Sequence, residues 1–174
     1  RVLFRSGIIV PMVNTPEEVK HIVAWCKYPP LGARSYCVAR AHEYGFEFSS
    51  YTQSWNQRSS IIIQIESIQA VQHIDALLSN DSIDGAMVGP YDLSGSLGIP
   101  GQLSDERVTA ACRQVVDACA RHGKACGTQI VEANAEQLAA AFASGFTFVF
   151  LSSDVFLLWK WSEQVRNLAD NFRR

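Results

Sequence analysis

Apolar residues in this chain fall into two patterns that alternate along its length. Short continuous runs at residues 7–13, 60–66, 83–89, 124–130 and 146–151 read as strands, the one at 7–13 fully buried because its apolar run is continuous and not alternating. Between them lie stretches with apolar residues three and four apart, the spacing of one helix face. The first is the clearest. Thr15 is a good N-cap, Pro16 suits the first turn, Glu18 completes a capping box, and Val19, Ile22, Val23 and Cys26 share a face. This helix should end before Tyr28-Pro29-Pro30, because proline cannot continue it. Further helices are predicted over 68–78, 104–122, 133–143 and 154–172. Ser104 is the expected N-cap of the 104–122 helix and Gly123 its stop. The last helix gathers Leu157, Leu158, Trp161, Val165 and Leu168 on one side. A short strand is expected over 33–38, then a loop or irregular helix over 39–57, whose Tyr44, Phe46, Phe48, Tyr51 and Trp55 read as packing.

Strand and helix alternating in this way imply parallel strands joined by right-handed crossovers. The count is six βα units, whereas a complete (β/α)8 barrel has eight units in about 250 residues. The expected fold class is therefore an α/β, TIM-type (β/α)8 barrel lacking its first two units, a single partial domain over residues 1–174. A doubly wound sheet could also hold six strands, but its Gly-rich phosphate fingerprint is absent. Residues 1–6, Arg1-Val2-Leu3-Phe4-Arg5-Ser6, match no capping or targeting logic, which points to a truncated or wrongly joined start.

Composition narrows the function classes. With 48% apolar and 18% charged residues the chain can bury a real core. The net charge is -2 with no basic run, which argues against nucleic acid as a partner. The most apolar stretch, 146–158, is interrupted by Ser152-Ser153-Asp154 and too short to span a membrane. The five cysteines, Cys26, Cys37, Cys112, Cys119 and Cys126, show no zinc or CxxC spacing and read as reduced, mostly buried thiols. No signal peptide is visible, so the expected location is cytoplasmic.

The chemistry is carried by two acids, Glu66 and Asp92, each just after a strand-like run. A barrel presents its functional groups at the C-terminal ends of its strands. Two such carboxylates can converge on one hard divalent cation and leave coordination positions for substrate oxygens and water. The competing explanation is that each caps the helix that follows it. Gln64, two residues before Glu66, shares its face of the strand and could donate to a bound oxygen, or be a satisfied buried amide. Gly89-Pro90-Tyr91 reads as a tight turn whose free N–H groups beside Asp92 form a carboxylate cradle, continued by Ser94-Gly95-Ser96. His21, His73 and His122 fall on helices or helix ends, while His42 could approach the mouth of the site.

Four segments together resemble the HpcH/HpaI aldolase family, which includes 4-hydroxy-2-oxoheptanedioate and 2-dehydro-3-deoxyglucarate aldolases. They are 7–13 (GIIVPMV), 28–34 (YPPLGAR), Gln64-Ile65-Glu66, and Gly89-Pro90-Tyr91-Asp92-Leu93-Ser94, in family order. The resemblance implies a metal-dependent class II aldolase that cleaves a 4-hydroxy-2-oxo acid to pyruvate and an aldehyde, homo-oligomeric when full length. It implies Glu66 and Asp92 as metal ligands, for Mg²⁺ or Mn²⁺ with Co²⁺ as a third candidate. Gln64 matches the residue at the pyruvate oxygens, and the backbone of Tyr91 and Asp92 matches the pyruvate-carboxylate contacts. Family members carry a catalytic His and a substrate-polarising Arg on units preceding the one matched at Gly7, so no catalytic residue is assigned here. Little activity is expected of the sequence as written. A related lyase of the citrate-lyase β type, using CoA thioesters, is the runner-up. A fragment that only binds metal, pyruvate or partner subunits is the non-enzymatic alternative.

Overall fold

The computed structural model describes residues 7–132 and 134–173. The unmatched segment 1–6 and the predicted helix start at Ala133 lie outside the described residues. Five strands form one parallel sheet: β1 (Gly7–Val10), β2 (Ser60–Ile65), β3 (Gly85–Val88), β4 (Ala125–Ile130) and β5 (Phe148–Leu151). Their order in the sheet is their order in the chain. Strands laid down in one direction place all their crossover helices on one face, as in a barrel wall, and never reverse as a doubly wound sheet does.

The helices are α1 (Pro16–Cys26), α2 (Phe48–Arg58), α3 (Ile68–Gln72), α4 (Ile74–Leu78), α5 (Pro90–Ser96), α6 (Glu106–Arg121), α7 (Ala135–Ala143) and α8 (Asp154–Asp170). The capping box of α1 forms as its sequence predicts, with Thr15 accepting from the Glu18 N–H and Glu18 accepting from Thr15. Of the boundaries that differ from expectation, two have clear local reasons. Asp105, not Ser104, caps α6, because its carboxylate takes the Arg107 N–H at 2.9 Å and pairs with the Arg107 guanidinium. The 68–78 helix breaks at His73, whose Nδ1 bonds the Asn14 carbonyl at 3.0 Å.

The predicted strand over 33–38 does not form. Its first two donors are already used at the C-terminal end of α1, where Ala33 bonds the Ala24 carbonyl and Arg34 that of Lys27, just after Leu31 and Gly32 bond that of Tyr28. Gly32 is required at that approach, since a Cβ would lie 2.3 Å from the Lys27 carbonyl oxygen. Beyond it, Tyr36 stacks on Tyr28 with ring centroids 4.6 Å apart, and the Arg34 guanidinium lies 4.1 Å over Trp55. Packing side chains against α2 replaces pairing in the sheet.

The core lies between the sheet and its helices. Ile61, Ile63 and Ile65 of β2, with Ala86 and Val88 of β3, meet Val19, Ile22 and Val23 of α1, Ala70 and Val71 of α3, Ile74, Leu77 and Leu78 of α4, and Ala111, Val115 and Ala118 of α6. Alternation along the strands sends Ile62, Gln64, Met87 and Gly127 to the opposite, concave face. Lys27 is buried at the end of α1, its ammonium donating to the carbonyls of Asn56 and Ser59 and to the Ser59 hydroxyl. This ties α1 to the start of β2.

All five cysteines are free thiols, with Cys119 and Cys126 buried, Cys26 and Cys112 half-buried and Cys37 exposed. Burial pushes the Cys112 thiol up to about 11. Helix α8 forms as predicted, but its apolar side is not packed: Leu157, Leu158, Trp161, Val165 and Leu168 are all exposed. Among the described residues no strand pairs with the far side of β5 to extend the wall beneath it.

The one-sided core predicts a sharp contrast between two leucines. Leu77→Ala should cost about 2–5 kcal/mol, the range for a fully buried truncation, whereas Leu158→Ala on α8 should change stability by less than about 0.5 kcal/mol. Urea titration of both variants checks this, and an equal loss would show that α8 packs inward in solution.

Candidate functional site at the strand ends

Gln64 and Glu66 reach the top of the sheet because β2 alternates. Its isoleucines at 61, 63 and 65 turn toward the helices, which leaves 64 and 66 on the concave side. The Gln64 amide Nε2 donates to Glu66 Oε1 at 3.2 Å, which fixes both side chains on that face. Glu66 is only 8% exposed. Its second oxygen, Oε2, accepts the backbone N–H of Met12 at 3.0 Å.

Met12 sits just beyond β1 with φ of 55°, a left-handed conformation that a side-chain-bearing residue rarely adopts. Such a conformation costs about 1–3 kcal/mol and persists where its surroundings over-determine it. Here the surroundings are the Glu66 carboxylate on its N–H and the Asn14 side chain, which donates to the Met12 carbonyl at 2.8 Å.

Gly89 completes the enclosure. A Cβ at this position would lie 2.8 Å from Glu66 Cγ and 2.9 Å from its Oε1, so the carboxylate occupies the space a larger residue would fill. Gly89 is the N-cap of α5, with Pro90 in its first turn. The segment 89–91 is therefore the start of a short helix and not the isolated tight turn its sequence suggests. The expectation that matters survives: the N–H groups of Tyr91 and Asp92 take no backbone partner among the described residues. Asp92 is exposed on this first turn. Ser94, buried beneath it, donates to the Tyr91 carbonyl at 2.5 Å and accepts from Gly101 at 2.9 Å, which holds the loop after α5 against it.

Glu66 caps no helix, whereas Asp92 lies in the first turn of α5, where a negative charge suits the helix N-terminus. The N-cap of α3 is Ser67, whose hydroxyl accepts from the Ala70 N–H at 3.1 Å, so Glu66 is not needed there. Helix α5 has no side-chain cap bond, and no ion pair or hydrogen bond engages the Asp92 carboxylate among the described residues. Glu66 has each carboxylate oxygen supported by one donor and keeps a lone pair on each for a further partner. Glu66, held after β2, and Asp92, open on the first turn of α5, are two acids whose oxygens could be offered to a hard divalent cation such as Mg²⁺ or Mn²⁺.

The histidines lie elsewhere. His42 does not face the mouth of the site. It is 2% exposed inside the β1–β2 connection, 3.3 Å from the Tyr28 hydroxyl and packed against Phe48 and Tyr51. His122 caps the end of α6 and bonds Asp75 at 3.0 Å, and His21 stacks on Trp25.

Three residues that sequence reasoning left out belong to this region. Met12 was seen only as part of the 7–13 segment and Asn14 only as lead-in to α1, because what matters is a backbone angle and a side chain reaching across strands. Gln129 could have been found from period two. In register it follows Gly127, the partner of Met87, and so stands exposed on the concave side beside Phe150.

The model of the HpcH/HpaI aldolase/citrate lyase family matches residues 4–160. The 5-keto-4-deoxy-D-glucarate aldolase of Shigella dysenteriae is 36% identical over 170 residues, covering 97% of this chain and 64% of that protein. The chain thus spans just under two thirds of that relative's length. The crystal structure of an HpcH/HpaI aldolase from Desulfitobacterium hafniense superposes with a TM-score of 0.82 at 28% identity, covering 94% of this chain and 63% of its own. A citrate lyase β subunit from M. tuberculosis, complexed with oxaloacetate and magnesium, shares the fold alone: TM-score 0.58, 12% identity, 85% of this chain and 56% of that one.

Two glycines of one loop should respond oppositely to a methyl group. Gly89→Ala should cost about 1–3 kcal/mol, because Glu66 must shift. Gly95→Ala, with nothing within 4 Å, should be neutral or stabilising by up to about 1 kcal/mol inside a helix. Thermal denaturation of the two variants decides it, and a neutral Gly89→Ala would mean that Glu66 is not held as described.

Proposed function

Because the chain belongs to the HpcH/HpaI aldolase/citrate lyase family, we propose that it forms the metal- and pyruvate-holding part of a divalent-metal-dependent class II aldolase. The reaction is cleavage of a 4-hydroxy-2-oxo acid, of the 5-keto-4-deoxy-D-glucarate type named for the relative, to pyruvate and an aldehyde. The observation that carries this reading is the Glu66 carboxylate, buried at a strand end, free of any capping duty and braced by Gln64 and the Met12 N–H.

In this reading Glu66 and Asp92 hold the cation, Mg²⁺ or Mn²⁺ with Co²⁺ as a third candidate. When bound, the cation supplies electrostatic stabilisation to oxygen charge that develops during cleavage. The chain's own groups orient the 2-oxo acid. The amide of Gln64 donates toward the pyruvate oxygens, and the free N–H groups of Tyr91 and Asp92 donate to its carboxylate. Cleavage removes the proton of the C4 hydroxyl and breaks the C3–C4 bond. The aldehyde leaves, and the enolate of pyruvate takes a proton at C3.

No residue of this sequence is assigned as the base, since His42 is buried among aromatic rings. In the same reading the base and a polarising arginine belong to two βα units preceding β1, the whole protein is a cytoplasmic homo-oligomer, and residues 1–174 are one partial barrel domain. A CoA-ester lyase of the citrate-lyase β type is less well supported, because its likeness rests on fold at 12% identity.

Calorimetric titration with Mn²⁺ should give one site, weakened at least tenfold by Glu66→Gln and by Asp92→Asn, in line with the loss of one of two charged ligands. Unchanged affinity in both variants would remove the metal from these residues.

Pyruvate, and oxalate as an enolate mimic, should bind only in the presence of metal, and Gln64→Ala should weaken oxalate more than Mn²⁺. Equal oxalate affinity after EDTA treatment would contradict a ligand shared between cation and protein.

A further inference from the structure

Asn14 lies outside every motif that carries the proposed chemistry, yet each of its four polar groups meets a different partner. Its backbone N–H donates to Glu18 Oε2 at 2.7 Å, within the capping box of α1. Its carbonyl accepts from His73 Nδ1 at 3.0 Å, which fixes the proton on that nitrogen. Its Nδ2 donates to the Met12 carbonyl at 2.8 Å, and its Oδ1 accepts from the Ser67 hydroxyl.

These bonds close a ring. Met12 and Asn14 stand two apart on the segment after β1, and Glu66 and Ser67 are consecutive after β2. Met12 N–H grips Glu66 Oε2, Val13 N–H bonds the Gln64 carbonyl at 3.4 Å, and Asn14 Oδ1 holds Ser67. The left-handed Met12 backbone is what turns its N–H toward Glu66, and among the described residues only Asn14 bonds the Met12 carbonyl on the other side of that turn.

We infer that Asn14 is a positioning residue for Glu66, acting through Met12: it locks the left-handed turn whose N–H aims the carboxylate. The inference rests on the reading of Glu66 as a ligand only for its metal arm. A group that orients a ligand in this way commonly sets metal affinity by about 10–100-fold.

The test compares two neighbours in the 174-residue chain. Asn14→Ala removes the clamp, whereas Thr15→Ala removes the α1 cap and touches neither Met12 nor Glu66. Two readouts are taken: hydrogen exchange of the Met12 amide without metal, and Mn²⁺ affinity by calorimetry. Asn14→Ala should speed Met12 exchange at least tenfold and weaken Mn²⁺ about 10–100-fold. Thr15→Ala should leave both within twofold even where it lowers Tm as much. Met12 exchange within twofold of wild type in Asn14→Ala would overturn the inference, whatever happens to Tm. If the unaltered chain binds no Mn²⁺, the ligand reading of Glu66 fails, and the Met12 exchange comparison still decides the role of Asn14.

Discussion

A carboxylate drawn out of water must be met by donors, and the top of this sheet is arranged around meeting Glu66. An unpaired buried charge would cost several kcal/mol, on the order of what a whole domain has to spare. One donor comes from its own strand, the Gln64 amide, and the other from the segment after β1. The second requires a backbone turn that a methionine adopts against its intrinsic preference. Gly89, from the third strand end, leaves the space in which the carboxylate sits. Three consecutive strand ends are thereby committed to one side chain, and the loops that follow them inherit their positions from it.

The sheet can offer such a site because its burial is asymmetric. Strand order equal to chain order gathers the helices on one face, and the isoleucines of β2 alternate toward them. The concave face is left to Ile62, Gln64, Met87, Gly127 and Gln129. Gly127 makes way for the Phe148 ring, which would lie 2.1 Å from a Cβ. Stability is thus drawn from the helix side, while groups at the strand ends are free to serve chemistry.

The same separation explains where the aromatic residues and histidines went. The β1–β2 connection packs Tyr28, Tyr36, His42, Phe48, Tyr51 and Trp55 against one another, with the Arg34 guanidinium over Tyr28, Tyr51 and Trp55. This cluster holds α2 without a strand, and it draws His42 away from the site. A histidine in sequence near a motif is therefore a poor guide to a base, since the connection that carries it can fold back on itself.

What the sequence alone determined is local. Periodicity marked all five strands, and the Thr15–Glu18 spacing foretold a capping box that forms in detail. Position after an apolar run placed Glu66 and Asp92 at strand ends, because strand direction and period two are properties of neighbouring residues. The strand over 33–38 was misread for the complementary reason: its first two donors, of Ala33 and Arg34, are taken by the Ala24 and Lys27 carbonyls at the end of α1, and no propensity records that competition. Tertiary structure alone decided that Met12 meets Glu66 and that Asn14 meets Ser67. Met12 lies 54 residues away and Asn14 reaches Ser67 across 53. Such bonds depend on two strands lying side by side, and no spacing along one of them encodes which backbone N–H will turn toward the other.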